Sequence, residues 1–168
     1  LVRRRGAVAR LRVAGRLLWG AEAETQAREW TRAAGVEDAV EFAGSYSQAE
    51  APALLRGADA LVHLQVHDSC PRLVVEAMAC GLPLVYSATG GVPELAGDEA
   101  GHGIPGAEDF EKMRIPSAEE AANGILRVLA HRETLARRAR DRAVRLFSVR
   151  DWLEAHQCIF ESLAGGTS

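Results

Sequence analysis

Residues 67–83 read His-Asp-Ser-Cys-Pro-Arg-Leu-Val-Val-Glu-Ala-Met-Ala-Cys-Gly-Leu-Pro, a polar turn, a short apolar helix and a stop ahead of the next strand. Pro71 suits the first helical position, where no backbone N–H is needed. Asp68 or Ser69 can cap the N–H groups exposed at that end. Gly81 fits the left-handed position just past a helix terminus. From Leu73 to Cys80 the helix is apolar on nearly all sides, which predicts burial. Glu76 is the exception. It lies either on a thin solvent-facing stripe or in a cleft where it accepts hydrogen bonds, because a buried carboxylate without partners is strongly unfavourable.

The flanking segments alternate in kind. Residues 1–5 look like the tail of a helix or linker. Residues 9–14 alternate polar and apolar and end at Gly15, as a strand does. Residues 22–34 predict a helix with Ala27, Trp30, Ala33 and Ala34 inward, closed by Gly35. A short strand over 40–43 stops at Gly44. Ser47 with Glu50 forms a capping-box pattern, and the helix after it, from Pro52, would bury Leu54 and Leu55. Residues 60–64 form an apolar strand that leads into the central turn. Leu84, Val85 and Tyr86 continue the sheet, Gly90, Gly91 and Pro93 open a short helix, and 102–104 form a last strand. This alternation predicts a parallel α/β sheet. Ser117 with Glu120 makes a second capping box. Residues 132–147 hold six arginines, either a polyanion patch or a solvated helix face. Ser148 caps a final helix, and Gly165 with Gly166 reads as a flexible end.

The N–H groups of Arg72 and Leu73, at the positive end of a helix, make an anion site. A carboxylate one turn further in would sit beside a bound phosphate, and a phosphate with vicinal hydroxyls describes a nucleotide ribose. Residues 68–83 resemble the signature of the retaining glycosyltransferases of family 4, in the donor-binding half of the GT-B fold. That signature is Glu, seven residues, Glu, then Ala-Met-Ala-x-Gly-x-Pro. Residues 85–95, Val-Tyr-Ser-Ala-Thr-Gly-Gly-Val-Pro-Glu-Leu, resemble the strand and Gly-Gly-x-Pro-Glu turn that follow. Weaker similarity covers most of the chain.

The resemblance implies a single Rossmann-like domain over 1–168, a parallel sheet with helices on both faces. It implies that Glu76 binds the donor ribose. Asp68 stands where the family has its first Glu, which contacts the transferred sugar; the Asp-x-Cys-Pro version resembles a subgroup variant. Asp68 and Glu76 are therefore the candidate catalytic pair. The candidate donor-binding residues are Ser69, Cys70, Pro71, Arg72 and Leu73, together with Gly90 and Gly91. The two glycines either let backbone approach the donor or simply make a tight turn. Ser45 and Tyr46, after the second strand, fall where the family holds the base; Tyr46 would stack on it or be an ordinary surface Tyr. His63 and His67 are either acid-base candidates or structural residues near a strand end, and neither matches the family's acceptor-side His.

The resemblance also implies a nucleotide-sugar donor and no metal or other cofactor, since helix N-termini and basic side chains stabilise the leaving diphosphate. The acceptor would be a glycan or lipid held by an amino-terminal domain, through which peripheral membrane contact is expected. The family's Gly-Arg and Lys-Gly segments, which grip the diphosphate, do not precede Leu1, and Arg16 and Lys112 lie in other contexts. The first strand and the acceptor domain are likewise expected to lie outside these 168 residues. The retaining reaction needs both halves closed around donor and acceptor, so this chain alone is expected to be inactive. A non-catalytic nucleotide-sugar-binding or regulatory module on the same fold is the alternative. A GT-B epimerase or phosphorylase is a third.

At 168 residues, 48% hydrophobic, the chain suits one soluble domain of ordinary size. A net charge of -3 gives no pointer to nucleic acid or a membrane surface. Cys70, Cys80 and Cys158 match no zinc spacing, and their odd number does not suggest a disulfide framework. A reducing, cytoplasmic setting is expected.

Overall fold

The computed structural model describes residues 1–15, 22–107, 109, 111 and 113–165. Arg16, Lys112 and Gly166 lie outside them. The chain divides into two units, Leu1–Leu54 and Leu55–Ser168.

In the first unit, a 3-10 turn at Arg3–Arg5 precedes β1 (Leu11–Ala14), α1 (Ala23–Ala33), a second 3-10 turn (Glu37–Ala39) and β2 (Val40–Gly44). β1 and β2 run parallel, with Leu11 opposite Val40 and Val13 opposite Phe42. The Gly15 N–H donates to the Gly44 carbonyl at 2.7 Å and ties the two carboxyl ends together. α1 corrects the expected inward face. Its partly buried residues are Ala23, Ala27 and Thr31, four apart, while Trp30 is 61% exposed and Ala33 and Ala34 face solvent. Residues four apart share a helix face, and here the small ones were chosen for close packing over the large one. Arg28 fastens the helix to β2, its guanidinium 4.7 Å from the centre of the Phe42 ring. The Ser47–Glu50 box forms as expected. The Ser47 N–H donates to Glu50 Oε2 at 2.7 Å, and the Glu50 N–H to Ser47 Oγ at 3.4 Å. α2 (Ala51–Arg56) follows, with Leu55 buried and Leu54 half-buried.

The second unit contains β3 (Leu61–His63), α3 (Arg72–Ala79), β4 (Leu84–Ala88), α4 (Val92–Ala96), β5 (Gly101–Pro105), α5 (Ala118–Ala130), α6 (Arg132–Leu146) and α7 (Val149–Gly165). Its three strands are parallel in the order β3-β4-β5. Alternation along the strands sorts side chains to two faces. Leu61, Leu84 and Tyr86 join Val74, Ala77 and Met78 of α3, Val92 and Ala96 of α4, and Ala139 and Ala143 of α6. Val62, Val85 and Ile104 join Ala121, Ile125 and Val128 of α5. Helices thus cover both faces of this sheet, the expected architecture. Met78 and Leu84 are wholly buried, each stabilising the fold by about 1.5–3 kcal/mol.

α3 is less enclosed than its composition suggests. Val74, Ala77 and Met78 are buried, whereas Val75, Glu76, Ala79 and Cys80 are partly exposed. Its start also differs from expectation. Pro71 is the extended residue before the first turn rather than part of it and makes no side-chain cap bond, and among the described residues neither Asp68 nor Ser69 is seen to cap the helix. The Pro71 carbonyl accepts from the Val74 N–H at 3.0 Å, closing the first turn tightly. The other end matches expectation. Gly81 takes φ 79. Its N–H donates to Met78 O and that of Leu82 to Ala77 O, both at 2.9 Å, the paired bonds of a Schellman ending.

Five of the six arginines of α6 are exposed, as the solvated-face reading has it, and several also hold partners that neither reading foresaw. Arg140 donates to the Ala79 carbonyl at the end of α3. Arg142 donates to Leu95 O at 2.7 Å and Glu94 O at 2.8 Å at the end of α4, and to Glu99 at 3.2 Å. Arg145 shares Glu99, and Arg132 pairs with Asp59. Carbonyls at helix ends lack intrahelical partners and carry partial negative charge, so guanidinium groups stabilise them. The Ser117–Glu120 box opens α5 as expected. Gly165 is the last residue of α7 rather than a free end.

Candidate functional site

The carboxyl ends of β3 and β4 place two turns side by side, residues 64–71 and 89–91. They are joined by the His67 N–H donating to Thr89 Oγ1 at 2.9 Å and the Gly91 N–H donating to Asp68 O at 2.9 Å. Ser87 Oγ and Thr89 Oγ1 share a hydrogen bond at 3.2 Å, both residues buried. His67 holds φ 55, a left-handed conformation uncommon outside glycine but several-fold enriched in His.

Gly90 and Gly91 are needed because of this junction. A Cβ at Gly90 would lie 2.6 Å from the Asp68 carbonyl oxygen, and one at Gly91 1.8 Å from that of Ser69. The room their missing side chains leave is filled by the chain's own backbone, the tight-turn alternative raised from sequence. The Gly91 N–H is already engaged by Asp68.

The Asp68 carboxylate faces His63 at the end of β3, with Oδ2 3.3 Å from Nε2. Ser69 and Cys70 are exposed, and Pro71 is buried under the turn. Leu73, in the first turn of α3, packs on the core. Glu76 is neither sealed nor fully solvated. Its side chain is 35% exposed and Oε1 lies 3.1 Å from Nε of Arg72, whose own side chain is 81% exposed. The two are four residues apart on one helix face, so Glu76 stands a single turn inside the uncapped start of α3. The structure therefore brings Asp68, Ser69, Cys70, Arg72 and Glu76 to the carboxyl edge of the three-stranded sheet, beside Gly90 and Gly91. Ser45 and Tyr46 belong to the first unit, where both are exposed just after β2.

Sequence reasoning gave no role to Ser87 and Thr89. The available signal was two hydroxyls two positions apart at the end of an otherwise apolar strand, which places both on one face. Among the described residues no three His, Cys, Asp or Glu side chains group as metal ligands, and no helix is long and apolar enough to cross a membrane.

The family model described as glycosyl transferases group 1 matches residues 1–144. A D-inositol 3-phosphate glycosyltransferase of Salinispora tropica is 30% identical over 141 residues, which cover 82% of this chain and 28% of the relative. The Anabaena protein Alr3699/HepE, solved in complex with UDP, superposes with a TM-score of 0.74 at 25% identity, over 94% of this chain and 41% of that one. A sucrose-phosphate synthase from Thermosynechococcus elongatus shares the fold, with a TM-score of 0.76 at 22% identity over 98% and 41% of the two chains. The chain thus spans less than half the length of these proteins. On the match over residues 1–144 and the shared parallel α/β architecture of GT-B enzymes, it belongs to the group 1 glycosyltransferases.

Proposed function

We propose that this chain is the donor-binding portion of a retaining glycosyltransferase that takes a sugar from a nucleoside diphosphate carrier and delivers it to a glycan or lipid acceptor. The observation that carries the reading is the uncapped start of α3 at the carboxyl edge of the sheet, with Glu76 one turn inside it. Ligands of open α/β sheets bind outside the strand carboxyl ends, and a helix start with unengaged N–H groups attracts phosphate. The N–H groups of Arg72 and Leu73 hold the diphosphate. Glu76 accepts hydrogen bonds from the ribose hydroxyls.

The Arg72–Glu76 pair suggests how the site is kept before the donor arrives. Arg72 is largely exposed and Glu76 partly so, and each partners the other. When the donor binds, ribose hydroxyls replace the guanidinium at Glu76. Arg72 is then free to turn toward the diphosphate, where its charge stabilises the leaving group without a metal. The Asp68 carboxylate takes hydroxyls of the transferred sugar. HepE has been solved with UDP and with UDP-glucose, so a uridine donor is the first to test. The free thiols of Cys70, Cys80 and Cys158 suit a cytoplasmic enzyme. Peripheral membrane contact belongs to the acceptor side of this proposal.

One observation favours a non-catalytic nucleotide-sugar-binding module instead, the shorter carboxylate Asp68 at the sugar position. A transfer assay on the full-length protein separates the two. With UDP-glucose and a panel of glycan and lipid acceptors, the enzyme reading requires acceptor-dependent release of UDP, abolished by Asp68→Ala. Tight donor binding without release in the presence of any acceptor supports the module.

A further inference from the structure

His63 lies at the carboxyl end of β3 and its side chain is only 11% exposed. Its Nε2 is closed to solvent and makes no aligned hydrogen bond to the described residues. A ring nitrogen so placed cannot touch a ligand directly. It lies 3.3 Å from Oδ2 of Asp68, whose side chain is 20% exposed and therefore reaches the surface of the site. Any effect of His63 on a bound molecule passes through that carboxylate.

The surroundings already fix the backbone of Asp68. Its carbonyl accepts from the Gly91 N–H, and the preceding residue is held by Thr89 Oγ1. With the backbone anchored from the β4 side, the remaining freedom is rotation of the carboxylate. His63, from the β3 side, limits it. With Oδ2 kept within 3.3 Å of Nε2 the carboxylate has fewer orientations open to it, and a pre-oriented acceptor loses less freedom when it binds a hydroxyl.

We propose that His63 is a positioning residue that turns the Asp68 carboxylate toward the sugar of a nucleotide-sugar donor, and so sets how far the site prefers the intact sugar nucleotide over the free nucleoside diphosphate. This rests on the reading of Asp68 as the sugar contact. His63 has no part in binding the diphosphate or the ribose, which lie with α3.

The test is the ratio of UDP-glucose to UDP affinity, measured by calorimetry on the full-length protein for the wild type and for Asp68→Ala, His63→Phe and His63→Gln. Asp68→Ala and His63→Phe are expected to lower the ratio by about tenfold, the loss of one charge-assisted hydrogen bond, while UDP affinity stays unchanged. His63→Gln, whose amide N–H reaches the place of Nε2, is expected to restore most of it. If Asp68→Ala leaves the ratio unchanged, the sugar-contact reading fails and takes the role of His63 with it. If Asp68→Ala lowers the ratio and His63→Phe does not, the His63 proposal alone is overturned. It is also overturned if His63→Phe weakens UDP and UDP-glucose equally, the sign of a general structural role. Should His63→Phe not fold, the imidazole nitrogen resonances of His63 in Asp68→Asn decide the matter: a shifted Nε2 signal supports the pair, and an unmoved one refutes it.

Discussion

Replacing Gly91 by alanine adds one methyl group, and the structure gives it no room. The new Cβ would lie 1.8 Å from the Ser69 carbonyl oxygen and 2.9 Å from its carbon. Carbon atoms pack best at about 3.5–4.0 Å, so the two turns must part by more than an ångström. No backbone penalty contributes, because Gly91 already has φ -86 and ψ -6, which any residue adopts. Parting the turns stretches two bonds of 2.9 Å, Gly91 N–H to Asp68 O and His67 N–H to Thr89 Oγ1. Overpacking costs about 1–3 kcal/mol and each lost hydrogen bond about 0.5–1.5 kcal/mol. The sum is about 2–6 kcal/mol, a fall in melting temperature of roughly 4–24 °C. Gly81→Ala is the control. Its added Cβ meets only Ala136 O at 3.9 Å, leaving the left-handed backbone at about 1–2 kcal/mol and the binding edge undisturbed. Urea unfolding measures both, with an unchanged slope showing that stability alone has moved. Amide spectra report whether residues 67–70 are displaced. A Gly91→Ala protein as stable as wild type, with the Asp68 and Ser69 amides unmoved, would refute the account of how these turns are joined.

Three further outcomes are expected. Arg142→Lys should destabilise by about 2–4 kcal/mol in urea unfolding, since its 16%-exposed side chain serves two carbonyls and Glu99 and an ammonium cannot reproduce the planar fork. Thr89→Val should cost about 1–3 kcal/mol by depriving the His67 N–H of its acceptor, and should displace the Asp68 amide in the same spectra. The Glu120 carboxyl is held down to about 2 by the Ser117 N–H first, then by the Arg114 and Ser117 side chains. A carboxyl depressed in the folded state adds stability above its unfolded pKa near 4.5 that is lost as pH falls toward 2, so Glu120→Gln should flatten the acid limb of a pH–stability curve over that window.

Much of this architecture can be read from local pattern. Short apolar runs ending at Gly15, Gly44 and the 67–71 turn identify strands, because strand ends and turn chemistry are local. The Ser47–Glu50 and Ser117–Glu120 boxes and the Gly81 ending also involve residues within a few positions of each other. What escaped sequence reading is non-local. Six arginines in one helix give no hint that Arg140 and Arg142 reach carbonyls at the ends of α3 and α4. Two adjacent glycines announce a close approach but not what approaches, and here it is the backbone of 67–69. Trp30 falls on the apolar count of α1 yet faces out, because small side chains four apart decided which stripe packs. At the candidate site, the pattern located Asp68, Arg72 and Glu76 on one sheet edge. It could not show the Arg72–Glu76 pair, the His63–Asp68 contact or the Thr89 clasp, which depend on where side chains meet in space.

The most direct measurement is calorimetric titration of UDP into the full-length protein and its Glu76→Gln variant. Glutamine keeps one acceptor oxygen but loses the charge and puts a donor in place of the other. If Glu76 holds the ribose, UDP affinity falls by about ten- to a hundredfold, since a hydrogen bond to a charged group is worth about 1.5–3 kcal/mol. Folding should barely change, because an exposed helical ion pair such as Arg72–Glu76 contributes only about 0.3–0.5 kcal/mol. Wild-type affinity for UDP in Glu76→Gln, or a collapse of its melting temperature, would contradict the assignment of this edge as the donor site.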